Sequence, residues 1–550
     1  MKKTKYQKIT IYFIITILIA TIFVENISSN QMTINYHEHT CGETTDWWPM
    51  FCHDAANSAY SSCNVSEKNT VLWNVKTDIM SSSSPAVVDG KVYVTTGYYW
   101  DGQILCIDLE TGSFLWNYSV DAIWVSPIVI DNFLYAAIHG GRMLCLNSST
   151  GELIWNTTVD PSVSIIEESP AFYNGKIYLA CSCFQEYQKN NSALYCLDAS
   201  DGSILWSYPT GRSIMCSPSI YDGKVYTVGL NNHLCCLDAE NGNELWTLPD
   251  FFIVTHPFIL NDRIYVSTIQ GTAAKTVACI QDGDVLWEYH PVSNYAVTTT
   301  IVGSNNSIYF GTGTNKVADP GKVVCVNAET GELKWSYTSK DRGLFFSNKP
   351  SLTKDFLFVI REYLYDVTHI SSSICSFDVD TGKMIWYYTI GMIFDNYIYG
   401  GIAIADNKII VCSVESDNSG DVWGGVYCFG EGEGNLPPSP PNTDYDKATN
   451  QIVIRSTDPE GDKIRYGLSW DSVQTHKVDE WTDFYDSDEE IRVACRQKSG
   501  IVGVMAEDEH GAQSGWVSQV SKSTTIHILL MNFFNNHPYL YPLLQRILGI

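Results

Sequence analysis

The chain has 550 residues, of which 45% are hydrophobic, 13% aromatic and only 17% charged, so it holds ample apolar and ring surface for a large core and is not a disordered chain. Its formal charge of −27 repels a phosphate backbone and argues against nucleic acid as a partner. Length alone suggests about three or four domains, a prior that fails for a repeat protein because one closed repeat array counts as one domain.

The first 24 residues join a lysine-bearing start, MKKTKYQK, to an unbroken apolar run from Ile9 to Val24, the layout of an export signal. That run is shorter than the roughly 20 residues a spanning helix uses, and no A-x-A site follows it, so cleavage within residues 1–30 and retention as a membrane anchor both stay open. Sequons at Asn64, Asn117, Asn147, Asn156, Asn190 and Asn305 fit an exported protein, although the motif arises by chance in an Asn/Ser-rich chain. Residues 31–46 read as a linker, where His37, Glu38, His39 and Cys41 are of metal-ligating type but lack a second ligand pair. Cys41, Cys52 and Cys63 precede the repeats, where an exported chain can bridge two of them; the pairing is not deducible.

One pattern then recurs from residue 47 to 430: a Ser-Pro or equivalent, a turn, a strand ending near Tyr, an L-x-C-L-D segment, a T-G turn and a tryptophan. In the copy from Ser217 to Trp246, the turn signals Asp222-Gly223, Asn231-Asn232 and Asn241-Gly242 separate four apolar runs, which predicts four short antiparallel strands. Four strands make one propeller blade. The terminal tryptophans are Trp73, Trp116, Trp155, Trp206, Trp246, Trp287, Trp335 and Trp386, spaced by 39 to 51 residues. The opening strands begin near Ser84, Ser126, Ser169, Ser217, His256, Thr299, Lys349 and Gly401, out of phase with the tryptophans. The strand Val71 to Thr77 therefore has no blade in front of it, and Gly401 to Phe429 has no tryptophan strand behind it. Together they predict an eighth blade that closes a ring and removes free sheet edges. Third strands such as ILCID and LCCLD are apolar throughout, as burial on both faces requires. One slot in them is assigned to Cys106, Cys145, Cys196, Cys236, Cys279, Cys325, Cys375 and Cys428. These read as packed small hydrophobes, since neighbouring blades stand ~10 Å apart, too far for a bridge.

The strings IDLETGSFLW, LNSSTGELIW, VNAETGELKW and FDVDTGKMIW resemble the tryptophan-docking repeat of pyrroloquinoline-quinone (PQQ) propellers, which the PQQ-dependent alcohol dehydrogenases share with the non-enzymatic outer-membrane assembly factor B type. The segment from Trp48 to Ser62 resembles the opening segment of the assembly-factor-like group. The resemblance implies an all-β, eight-bladed propeller closed by an N-terminal strand; function transfers less readily.

After Gly430, EGEGNLPPSPPNTD reads as a semi-rigid spacer over residues 431–445. Short alternating strands over 446–522 then predict a small β-sandwich, and STDPEGDKIRYGLSWD and GIVGVMAEDEHGAQSGW resemble immunoglobulin-like modules of the polycystic-kidney-disease and cadherin-like kind on archaeal surface proteins. Asp458, Glu460, Asp462 and Asp508 put carboxylates on loops, either as a calcium site or as a solvated acidic turn. The apolar tail, 523–550, is interrupted by Asn, His, Pro, Gln and Arg and does not span a bilayer comfortably. It is left between docking on a partner or membrane and covering the sandwich.

No H-E-x-x-H, G-x-S-x-G or C-x-x-C motif occurs, and GTGTNKVADPGKV departs from a phosphate-binding loop, with Val323 after Lys322. Adjacent Cys235 and Cys236 resemble the vicinal pair of PQQ alcohol dehydrogenases, but Cys236 is the repeat's own packing cysteine and the flanks differ. The longer loops CSCFQEYQKNNSA, TGTNKVADPGK, REYLYDVTHISSS and VESDNSGDVWGG supply aromatic and acidic groups for recognition. The expectation is an extracellular or cell-surface scaffold, without a required cofactor, that binds a protein or glycan of the cell envelope. The alternative is a PQQ- and calcium-dependent dehydrogenase, for which no ligand or base is assignable in the sequence.

Overall fold

The computed structural model describes residues 46–520, with interruptions at loops, the longer ones being 160–167, 182–191, 391–399, 432–441, 470–479 and 509–516. The export signal, His37, Glu38, His39, Cys41, Glu460, Asp462 and the apolar tail lie outside the described residues.

Every element among the described residues is a strand. The chain opens with β1 (Thr70–Thr77), then β2 (Ala86–Val88), β3 (Lys91–Tyr98), β4 (Asp101–Asp108) and β5 (Phe114–Val120), of which the last four form an antiparallel sheet in sequence order. The same meander returns in six further sheets up to Ile390, two of which carry an extra two-residue strand. An eighth sheet is assembled from both ends of this region: Ala403–Ala405, Lys408–Ser416 and Val422–Gly430 pair in order, and β1 adds beside the last, Thr70 opposite Gly430 and Thr77 opposite Gly424. β1 thus takes the place that the fourth strand holds in the other seven sheets.

Local chemistry explains the meander. The first turn of most sheets holds Asp or Asn, as at Asp89-Gly90 and Asn174-Gly175, and these residues take positive φ, the geometry of a hairpin turn whose twist matches the strands it joins. Fourth strands alternate exposed and half-buried residues, whereas first and third strands are buried almost throughout. Burial on both faces is what continuous apolar runs dictate, and each sheet therefore lies between neighbours.

The tryptophan of each fourth strand reaches the next sheet. Trp73 of β1 donates its indole N–H to the Leu109 carbonyl at 2.8 Å, Trp116 to Ser148, Trp155 to Ala199, Trp206 to Ala239, Trp287 to Ala328 and Trp335 to Val379. Under seven of the rings lies the glycine of the turn between the third and fourth strands of the next sheet, preceded by Thr, Asp or Asn. A methyl group on Gly202, at φ +74°, would stand 2.7 Å from the Trp155 ring. Trp386 meets Phe429 edge-on at 5.6 Å instead, because the eighth sheet is made of two chain segments and has no T-G turn there.

The cysteine slot needs one correction. Cys106 stands between Tyr93 and Trp116 in register, and Cys145, Cys196, Cys236, Cys279, Cys325 and Cys428 occupy the matching position. In the seventh sheet Ser376 pairs with Phe358 and Trp386, and Cys375 falls one residue early. The spacing explains it: that copy has two residues between Cys375 and the turn residue Asp378, where Cys106, Cys145, Cys196, Cys236, Cys279 and Cys325 have one before the turn Asp, Asn or Gln, and the turn residue fixes the register. Cys52, Cys63, Cys235 and Cys236 are free thiols.

Beyond residue 441 two antiparallel sheets share a separate core. Asn442–Asp446, Gln451–Arg455 and Ile491–Ala494 form one, and Glu480–Trp481, Ile464–Ser469, Ile501–Asp508 and Val517–Val520 the other. Ile452, Ile454 and Ile491 from the first pack with Ile464, Tyr466, Leu468 and Val504 from the second. The first strand begins inside the stretch read as spacer, where Asn442–Asp446 pairs with Gln451–Arg455. No helix of the described residues is long and apolar enough to cross a membrane.

Candidate functional site

Residues 46–64 form a strap on which several sheets meet. Trp48 exchanges both backbone hydrogen bonds with Val87 in the first sheet, and Pro49 accepts from Val129 in the second. Ala55 accepts from Ile220 in the fourth, Ala56 from Ile259 in the fifth, and Leu352 of the seventh bonds Ala59 and Ser61. Five first strands therefore converge on one short segment. At its far end the Asn64 N–H donates to Asn407 in the first turn of the eighth sheet, so the strap lies toward the end of the sheets that carries the first turns.

The strap holds a demanding conformation. Cys52, His53, Asn57 and Ala59 all have positive φ, between 47° and 74°, a region that side chains with a Cβ seldom occupy. Charge secures it: His53 Nε2 donates to Asp46 at 3.1 Å, and Nδ1 stands 3.5 Å from Asp54, whose carboxylate also accepts from Ala56, Ser58 N–H and the Ser58 hydroxyl. Burial disfavours the charged imidazole, but the hydrogen bonds and charges of Asp46 and Asp54 outweigh it and push His53 up to about 10. Asp46, despite burial, is held down at about 2 by His53 and the Ser62 N–H.

Just before the first strands runs a belt of small polar residues. Gly401 donates its N–H to the Ser84 hydroxyl at 2.6 Å, Ser84 to Ser126 at 3.1 Å and Ser126 to Ser169 at 3.1 Å, so the eighth sheet is stitched to the first, the first to the second and the second to the third. The belt changes character in the fifth and seventh sheets, where His256 and Lys349 replace serine, and beside Ser169, where Glu168 stands. The Ser217 N–H donates to His256 Nδ1 at 2.7 Å, and the Ser217 hydroxyl to Glu168 at 3.3 Å. Phe51 of the strap lies between the two basic groups: its ring meets His256 edge-on at 5.0 Å and carries the Lys349 ammonium 4.1 Å from its centre.

Electrostatics follow from this packing. Burial, with the Lys349 charge added, brings His256 down to about 3. Because Nδ1 accepts from Ser217, the glutamate 3.6 Å from that nitrogen faces a neutral ring, and the proton sits on Nε2. Burial lowers the Lys349 amine below its ordinary range, against the opposing pull of Cys52 and Glu168. The repeat cysteines, by contrast, are raised by burial, Cys106 to about 12 and Cys325 to about 11, and are inert thiols.

Sequence reasoning missed this cluster although its signal was present. His256 and Lys349 precede Pro257 and Pro350 where the first four copies read Ser-Pro, and such departures mark a site that repetition alone does not explain. The four long loops all join second strands to third: Cys181 to Ala193, Gly313 to Lys322, Leu364 to Ile370 and Ser416 to Val422. Their strand ends therefore share the end opposite the strap, while the loop residues 182–191, 314–319, 365–369 and 417–421 lie outside the described ones. Asp458 is 6% exposed and its N–H donates to the Ser487 hydroxyl; Asp508 ends its strand opposite Ile464. Among the described residues no three His, Cys, Asp or Glu side chains are grouped to hold a metal.

Four-stranded antiparallel sheets, each docking a tryptophan on the next, define an all-β repeat protein of the propeller kind. The sequence profile of the family described as outer membrane protein assembly factor BamB matches residues 50–158, 120–215 and 252–416, more than half of the chain, and the chain belongs to this PQQ-repeat family. The fold is similar to that of a europium-containing methanol dehydrogenase, at 13% identity and a TM-score of 0.55 over 72% of this chain and 99% of that one. It is likewise similar to the quinohemoprotein alcohol dehydrogenases of Pseudomonas putida HK5 and Comamonas testosteroni, each at 12% identity over 74% of this chain and 84% of theirs, with TM-scores of 0.52 and 0.51. At such identities the likeness is one of fold. No curated protein matches by sequence.

Proposed function

We propose that the eight sheets are the blades of one ring closed by β1, and that the ring is an exported, cell-surface scaffold whose loop end binds a protein or glycan of the cell envelope. The observation that carries the reading is the asymmetry of the two ends. Tight turns and the strap close one end, and all four long loops leave from the other. Closure is supported by the Trp73 and Gly401 hydrogen bonds, which run from the eighth sheet to the first. The envelope setting is supported by the family, whose description names an outer membrane assembly factor. The two C-terminal sheets serve in this reading as an immunoglobulin-like spacer or adhesion module, with calcium at Asp458, Glu460, Asp462 and Asp508.

A photo-crosslinking residue tests the polarity of the surface. Placed at Val422, 48% exposed beside a long loop, it is expected to trap an envelope component in native cells. At Asp131, exposed in a first turn, it is expected to trap none. Equal trapping at both positions, or trapping at Asp131 alone, contradicts the reading.

The competing reading is a quinone-dependent dehydrogenase, and Glu168, His256 and Lys349 are the residues that favour it. A tricarboxylate quinone held with a divalent cation asks for several cationic donors and more than one carboxylate ligand. The described donor set here is one ammonium, one neutral imidazole and one carboxylate, which does not fit that group.

A further inference from the structure

We propose that Asn117 and Asn156, which occupy one slot in two neighbouring sheets, are glycosylated on Nδ2, and that the two glycans shield the outer edges of the first and second sheets. The inference rests on the reading of the chain as an exported protein.

Each asparagine directly follows a docking tryptophan, Trp116 in β5 and Trp155 in Leu153–Thr158, and each opens a sequon, Asn117-Tyr118-Ser119 and Asn156-Thr157-Thr158. Side chains alternate along a strand, so the indole turns to the next sheet while the asparagine and the hydroxyl two residues on share the other face. Asn117, Ser119, Asn156 and Thr158 are all exposed. The other described sequons fall short of this. Asn147 is half-buried, and its carboxamide oxygen accepts the Ser149 and Thr150 N–H groups of a turn. Asn305 is exposed, but Ser307 is buried and its hydroxyl accepts from the Lys334 ammonium. Asn64 is tied by its N–H to Asn407 and is followed by the half-buried Ser66. Asn190 lies outside the described residues.

Transfer joins Nδ2 to the anomeric carbon of a sugar carried on a lipid phosphate. The bond from that carbon to the phosphate oxygen breaks, the phosphate leaves with the electron pair, and the amide releases one proton. Both strands are outermost in their sheets, bonded to a third strand on one side and to no strand on the other among the described residues. Each begins with an exposed apolar pair, Phe114-Leu115 and Leu153-Ile154. Such an edge invites pairing with another chain, and a bulky hydrated sugar midway along it blocks that approach. The same slot holds Ser207, Thr247, Glu288, Ser336 and Tyr387 in the next five sheets, and Asn74 without a sequon in β1, so this shield belongs to two neighbouring sheets alone.

The test uses the full chain from its native cells. Its location is read with a membrane-impermeant lysine label on intact cells, and its modification from peptide masses after cleavage at basic and glutamate residues, which parts Asn147 from Asn156 at Glu152. Peptides bearing Asn117 and Asn156 are expected to carry sugar, and those bearing Asn147 and Asn305 to have their unmodified masses. Ser119→Ala and Thr158→Ala, which keep the asparagines, are each expected to lose the sugar at their own site. The double variant Asn117→Gln and Asn156→Gln, checked for folding by its unfolding midpoint, is expected to self-associate at severalfold lower concentration in sedimentation. Unmodified Asn117 and Asn156 in a chain that takes the label overturn the proposal and leave export standing, whereas an unmodified chain kept inside the cells overturns both. Equal modification of Asn147 and Asn305 contradicts selection by the fold, and unchanged association of the double variant contradicts shielding.

Discussion

A tryptophan over a glycine is the unit from which this molecule is assembled. The glycines under the docking tryptophans are needed both for positive φ and for the absence of a Cβ, and the two demands separate by mutation. Gly202→Ala drives a methyl group into the Trp155 ring at φ +74°, whereas Gly175→Ala, at φ +72°, meets nothing within 4 Å. Denaturant unfolding is expected to show a loss of about 1 kcal/mol for Gly175→Ala and about 2–4 kcal/mol for Gly202→Ala. Equal losses would deny the docking role. His53 gives a second test. Its folded-state value of about 10 exceeds the ordinary 6.5, so its contribution is complete below pH 6.5 and fades as pH rises toward 10, with a slope of at most about 1.4 kcal/mol per pH unit. Asp46, held at about 2, contributes above its ordinary 3.8 and loses that contribution as pH falls through 2. His53→Gln is expected to flatten the alkaline slope of the unfolding midpoint; an unchanged slope would remove the strap's charge clasp.

At the scale of elements, the repeat was legible because its signals are local and multiplied: a turn dipeptide, an apolar third strand and a docking tryptophan recur in copy after copy. Trp48 to Ser62 was recognised as an opening segment, but its path was not legible. Its hydrogen bonds go to Val87, Val129, Ile220, Ile259 and Leu352, far apart in sequence, and depend on the finished arrangement of sheets. The same holds for His256 and Lys349, which become neighbours only through Phe51. Cys375 shows the limit of pattern matching, since one residue more before Asp378 shifts the thiol out of the slot and places Ser376 there. β1 carries the prediction for this scale. Deleting residues 71–77 strips the eighth sheet of its edge strand and of Trp73, and is expected to lower the propeller's melting temperature far more than deleting residues 442–520. A melting temperature unchanged by the first deletion contradicts ring closure.

For the whole molecule, repetition and its exceptions divide the surface by role. Tryptophans, T-G glycines and cysteines recur and are explained by packing like units side by side, and a single site has to come from residues that break the pattern. The described exceptions are few: a strap bonded to five first strands, the group Glu168, His256 and Lys349 at the belt, and long connections between second and third strands. A fold shared with dehydrogenases does not carry their chemistry with it, because the described donors at the belt, one ammonium, one neutral imidazole and one carboxylate, fall short of a quinone with its metal. The most direct measurement is a titration of the purified full chain with PQQ and Ca²⁺, followed by absorption and by dye reduction with alcohols and sugars. The expected result is no bound-quinone spectrum and no substrate-dependent reduction; stoichiometric quinone uptake with turnover would contradict the binding reading and establish the enzyme.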